Sequence, residues 1–230
     1  LENTLKKTIF ARTAAALALA AALAACGGGS SNFTIGGTVY NLQTGSKLVL
    51  TTNGMEVTVE QKQPKDANGN LPPVAYAFPS QLEYGEVYNV LPKQIGTYSD
   101  GSPKYQMPEH QDCSPASSGR ISDTAGRLSE IRADYQCNLV SRSIGGVVKG
   151  LTTGSVTLLN GTAGGSVKIF APATPGDVNF TFGPLVTYGM TYGVTVLEQD
   201  KVSCTVSNGA GTMGDDSITN IVVNCVANPT

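Results

Sequence analysis

Two hydrophobic patterns divide the chain. Thr13 to Ala25 is an unbroken run of Ala and Leu with one Thr, placed behind the cations Lys6, Lys7 and Arg12. A spanning helix needs roughly 20 apolar residues, so this run is too short to cross a bilayer. A positive start, a short apolar core and small residues at Ala24 and Ala25 predict a signal peptide over residues 1–25. Beyond it, no apolar period of helical length persists. Short β-branched runs alternate with Gly, Asn and Pro, which predicts strands and turns throughout. Ile221, Val223 and Cys225 fall on one face of such a strand, and Val222, Asn224 and Val226 on the other. Val194, Val196 and Cys204 flank Glu198-Gln199-Asp200-Lys201, which reads as a polar turn.

The strand pattern occurs twice. Ile35 to Ser46 aligns without a gap on Ile144 to Ser155, with eight of twelve residues identical. An apolar strand ending in Asn-Gly follows in each copy. Tyr76-Ala77-Phe78 then matches Phe180-Thr181-Phe182, Tyr84-Gly85 matches Tyr188-Gly189, and each copy ends in a cysteine pair. The predicted modules are 33–140 and 143–230, with a seam at Ser141-Arg142-Ser143. The first copy is longer, mainly between Leu91 and Gln111 and to a lesser extent near Gln61 to Pro73. Six to eight short antiparallel strands per copy predict an all-β protein of two tandem immunoglobulin-like β-sandwiches. Tyr76, Phe78, Phe180 and Phe182 belong at or near the cores, and the Tyr-Gly pairs at turns. Fold analogy suggests that the Tyr192 hydroxyl ties down a corner.

Composition narrows the function. Without residues 1–25 the chain carries 12 Lys+Arg against 16 Asp+Glu, a net charge of −4. That argues against a nucleic-acid partner, which calls for clustered cations. Cys113, Cys137, Cys204 and Cys225 are an even set in an exported chain, which predicts two disulfides with three conceivable connectivities. A hairpin centred near Gly214 places Cys204 opposite Cys225, and the same geometry pairs Cys113 with Cys137 across a longer loop.

Leu23-Ala24-Ala25-Cys26, followed by Gly27-Gly28-Gly29-Ser30-Ser31, resembles the lipobox of bacterial lipoproteins. The resemblance implies a diacylglyceryl, acylated (palmitate-type) Cys26 as the mature amino terminus, with residues 26–32 as a flexible tether. Stable anchoring by more than one acyl chain follows. Gly27 rather than Asp after the cysteine implies export to the outer membrane of a Gram-negative bacterium. The second copy also resembles a repeat of bacterial surface lipoproteins. The matching segments are Ile144-Gly145-Gly146, Cys204-Thr-Val-Ser-Asn-Gly-Ala-Gly-Thr212 and Ile218 to Cys225. That family implies a β-sandwich surface module and no chemistry. The first copy departs from it, with Cys113-Ser-Pro-Ala-Ser-Ser-Gly119 keeping little beyond the cysteine.

The candidate chemistry is sparse. His110 is the single histidine, so neither a shared zinc site nor a His-Glu-x-x-His motif is present. A metal set of Glu109, His110 and Asp112, or a triad drawing on Ser114 or Ser117, would depend on this one ring, and no Gly-x-Ser-x-Gly elbow accompanies it. Asp66-Ala67-Asn68-Gly69-Asn70 spaces oxygen ligands as calcium loops do but lacks their later bidentate Glu, so an Asn-Gly turn is expected. Asp215-Asp216 reads as a solvated turn. Tyr98, Tyr105 and His110 in the first copy's insertion are the candidate ligand-binding residues. The sequence therefore predicts no enzyme, no cofactor and no metal. The expected partners are the membrane, through the lipid, and a glycan or envelope protein. The expected function is a non-enzymatic surface scaffold or interaction module; the alternative is a carbohydrate- or peptide-binding adhesin using the loop Tyr98 to Asp112.

Overall fold

A computed structural model describes residues 32–161 and 164–229. The predicted signal peptide, Cys26 and the Gly27 to Ser31 tether lie outside the described residues. Among the described residues there are 22 strands and no helix. The protein is all-β, with two tandem immunoglobulin-like sandwiches. One apolar core is drawn from residues between Ile35 and Cys137, the other from residues between Ile144 and Cys225.

The two halves share one topology. In the second half, the opening strand Ile144–Lys149 lies between Val178–Thr181, antiparallel, and the closing strand Ile218–Ala227, parallel. Val202–Ser207 pairs antiparallel on the far side of the closing strand. In the first half, Asn32–Tyr40 lies between Val74–Glu83 and a closing strand broken into Ile131–Arg132 and Tyr135–Leu139, with Gln111–Pro115 outermost. The second sheet of the later half runs Ser166–Phe170, Ser155–Asn160, Thr191–Asp200, Ala210–Thr212. Its counterpart in the first half is split into a sheet of Met55–Glu60, Lys47–Thr52 and Leu91–Pro92 and a pair Val87–Asn89 with Ser122–Thr124. Strands are thus shorter and more numerous than alternation alone suggests.

The Gly-Gly pairs explain how the opening strand fits between two neighbours. A Cβ on Gly36 would lie 2.4 Å from the Tyr76 carbonyl oxygen, and one on Gly37 2.3 Å from that of Ala133. The equivalents meet Phe180 at 2.3 Å from Gly145 and Ile221 at 1.9 Å from Gly146. Backbone comes close on both sides, and the register shifts there in both halves.

Cys113 bonds to Cys137 and Cys204 to Cys225, each pair directly opposite across two antiparallel strands. Phe78, Phe180 and Phe182 are buried and Tyr76 half-buried, with the Phe rings edge-on to their neighbours.

Three expectations need correction. Glu198 to Asp200 is not a turn: the strand continues through Asp200, paired with Ser155 to Thr157 across a bulge, and only Lys201 turns, at φ +59°. Beyond the bulge Glu198, Gln199 and Asp200 are all exposed, although the strand they pair with is buried. The insertion between Leu91 and Gln111 is not a bare loop but folds into a hairpin of Gln94–Thr97 and Pro103–Tyr105. Among the described residues, the tyrosines that tie strands are Tyr76, whose hydroxyl donates to the Ala133 carbonyl, and Tyr135, which donates to that of Val90 at 2.8 Å. Tyr192 instead lays its buried ring over Gly211.

Candidate functional site

The three residues of the expected binding loop go to three places. Tyr98 stands exposed in the turn of the added hairpin, with the Lys104 ammonium 5.9 Å from its ring centre. Asp100 shapes this turn: its Oδ1 accepts the Ser102 backbone N–H at 2.9 Å and the Ser102 hydroxyl at 2.7 Å. These bonds, the hydroxyl foremost, hold the carboxyl below the ordinary Asp range. Tyr105 sits at the other end of the hairpin, half-buried and close enough to Tyr135 to act on its ionisation.

His110 is the surprise. It occupies a left-handed conformation, φ +59°, just before Gln111–Pro115, and its ring reaches into the second half. Nδ1 lies 2.9 Å from the Asp215 carboxylate, and since a carboxylate only accepts, Nδ1 carries the donated proton. Tyr188 stacks on the imidazole with centroids 3.9 Å apart and planes 13° from parallel, its hydroxyl 3.0 Å from Nε2. Glu109 comes within 3.4 Å of the same nitrogen. Arg142 of the seam donates from Nε to the Asp215 carbonyl at 2.7 Å and faces Asp112 at 3.7 Å. The backbone continues the joint: Val140 N–H donates to the His110 carbonyl at 2.9 Å, and Tyr188 N–H to that of Val140 at 2.8 Å. Ser141–Arg142 pairs with Val186–Thr187.

This cluster is a joint between the halves. Asp112 faces Arg142 instead of completing a metal set, and the imidazole is taken up by Asp215 and Tyr188 instead of a serine. Asp215, expected as a solvated turn residue, is its acceptor. Sequence reasoning missed Tyr188, Asp215 and Arg142 as partners because two of them lie 78 and 105 positions from His110.

Beside the joint is a polar cleft of about 490 Å³. Amide side chains dominate its walls, from Asn41, Gln43, Asn70 and Asn138, with Lys65 and, from the second half, Thr187. The buried Gln111 side chain fixes one wall by donating to the Asn41 carbonyl and accepting the Gln43 N–H, both at 2.8 Å. The Asp66 loop forms part of another. Its Oδ1 accepts the backbone N–H groups of Asn68 and Asn70 at 2.8 Å each, so the carboxylate closes its own turn. The Asn70 bond is the main reason its carboxyl is held low. Among the described residues, no group of three His, Cys, Asp or Glu side chains is placed to hold a metal ion.

No family model and no curated protein matches the sequence. Solved structures match this chain at low identity. The Bacillus anthracis TIE protein is 14% identical over 85% of this chain, with a TM-score of 0.36; the match covers 34% of that chain, so the present sequence spans about a third of its length. The major pilin protein of Streptococcus pyogenes is 11% identical over 87% of this chain and 98% of its own, with a TM-score of 0.27. A shaft pilin of Lactobacillus rhamnosus GG, solved as a mutant, gives 9%, 87%, 100% and 0.28.

Proposed function

We propose that this protein is a lipid-anchored component of a bacterial cell envelope, held in the outer membrane through Cys26 and acting as a non-enzymatic scaffold or interaction module. The observation that carries the reading is the order of parts. A basic start, a short apolar run and Leu23-Ala24-Ala25-Cys26 precede a Gly/Ser tether, and two disulfide-closed β-sandwiches follow. Disulfides fit an oxidising compartment. The joint supports a scaffold role, because the single histidine is spent on coupling the halves. Cys26→Ser tests the anchor. The variant is expected to lose lipid labelling and detergent-phase partitioning; unchanged labelling would overturn the reading.

A second reading, binding of a glycan or peptide, rests on exposed Tyr98 with Lys104 over its ring and on the amide-lined cleft. Aromatic faces and amides are the groups that hold sugars and extended peptides. A glycan array probed with the protein discriminates the two: binding abolished by Tyr98→Ala favours the adhesin.

A further inference from the structure

The repeat allows the same pole to be compared in both halves. Where the chain enters the second half, Ser141 pairs with Thr187 and Arg142 with Val186. The Tyr188-Gly189 turn follows, and the first half covers it: Val140 accepts the Tyr188 N–H, and His110 stacks on the Tyr188 ring. Where the chain enters the first half, Asn32 pairs with Glu83 and Phe33 with Leu82, and the Tyr84-Gly85 turn follows in the same place. Here no described residue stacks on the tyrosine, and Tyr84 is 73% exposed.

Tyr84 belongs to an apolar cap. Gly85 N–H donates to the Ala125 carbonyl, which brings the turn against the segment Ala125 to Leu128. A Cβ on Gly126 would lie 2.3 Å from the Tyr84 ring and 3.4 Å from that of Phe33, so both rings lie against this glycine. Val87, three residues on, is 68% exposed, and Leu128 is 43% exposed. Nearby, the Asp123 carboxylate is ion-paired by Arg120 at 2.7 Å and Arg127 at 3.3 Å. Glu83 and Glu86 flank Tyr84, exposed and without an ion-pair partner among the described residues, so the apolar patch has an acidic edge that suits the headgroup level and not the acyl core.

We propose that this cap rests on the lipid surface, with Tyr84 at the headgroup level and Val87 and Leu128 beside it. The inference rests on the lipid-anchor reading. From Cys26 to Asn32 the chain reaches at most about 22 Å. The pole at Asn32 is therefore the part of the fold held nearest the bilayer. Tyrosine rings favour the membrane interface, and a modest apolar face gains by lying in the headgroup boundary when an acyl anchor already holds the chain there. The second half then points away from the membrane, because each half is entered at one pole and left at the other.

The chain contains no Trp, which makes the test direct. The full mature protein, carrying its lipid, is placed in vesicles of phosphatidylethanolamine and phosphatidylglycerol. Tyr84→Trp supplies one reporter, Leu128→Trp a second at the same pole, and Phe170→Trp a control on an exposed strand of the second half. The two cap reporters are expected to shift to the blue and lose most of their emission to brominated lipids, while the Phe170→Trp control is quenched by aqueous acrylamide alone. Vesicle-bound protein whose cap reporters stay water-exposed overturns the proposal and leaves the lipid anchor standing. Cap reporters shielded from acrylamide yet untouched by bromolipid mean that a second copy covers the cap, which also overturns it. Protein that carries no lipid and stays out of the vesicle fraction overturns both readings.

Discussion

At the residue scale, the least replaceable positions are those where backbone meets backbone. A methyl group on Gly146 would sit 1.9 Å from the Ile221 carbonyl oxygen, and neither strand can retreat without breaking the ladder. Gly146→Ala is expected to cost about 3 kcal/mol in urea unfolding. Gly96→Ala, with open space around it, should change stability by less than about 0.5 kcal/mol. The tyrosine ties titrate at the other extreme. Burial pushes the Tyr76 and Tyr135 hydroxyls well above the ordinary tyrosine range. A raised folded value means that their contribution is complete below about pH 10 and is lost as pH rises beyond it, because the unfolded chain ionises first. Tyr135→Phe should remove the bond to Val90, lower stability by about 1 kcal/mol at neutral pH, and blunt the alkaline loss. Asp123 has the opposite sign. The Thr124 N–H and then Arg120 hold its carboxyl low, so its contribution is present above about pH 4 and lost as pH falls further. Melting curves in acid should show a smaller decline for Asp123→Asn than for the native chain.

At the element scale, alternation was a reliable guide wherever a strand crosses the core and failed where it does not. Ile221, Val223 and Cys225 are buried while Asn224 and Val226 face out, as period two requires. Glu198 to Asp200 carry no such signal, because both faces of that strand end are wet. The cysteine pairing read from the repeat is the pairing in the structure, since a hairpin register that seats the flanking valines also sets the cysteines opposite. The site was less legible. His110 finds its partners in the other half, and no local pattern announces a contact 105 residues away. The one available clue was the repeat itself, which puts Tyr188-Gly189 where the preceding module must arrive. Each bridge closes a loop of 24 or 21 residues, so reduction should cost each half about 3 kcal/mol. Calorimetry with and without reductant measures it.

At the scale of the whole molecule, the joint decides whether the halves move together. His110, Tyr188, Asp215 and Arg142 form a small, partly exposed set, worth about 1 kcal/mol as hydrogen bonds and a ring stack in such a setting. His110→Ala should therefore leave both halves folded while loosening their relative orientation. Two separate NMR rotational correlation times in place of one would register the change, and unaltered tumbling would show that the backbone bonds at Val140 suffice.

The parallel pairing of opening and closing strands has a mechanical meaning. A pull applied between Asn32 and Ala227 loads each half through two neighbouring strands drawn in opposite directions along their length. The hydrogen bonds of that ladder share the load at once and cannot be unzipped singly, so rupture forces should be high and unfolding slow under tension. The bridges then withhold contour length, because the chain inside each cysteine loop cannot extend. In single-molecule stretching, reduction should lengthen the two unfolding steps by about 80 and 70 Å, for the loops of 24 and 21 residues. Each bridge thus caps how far its module can stretch.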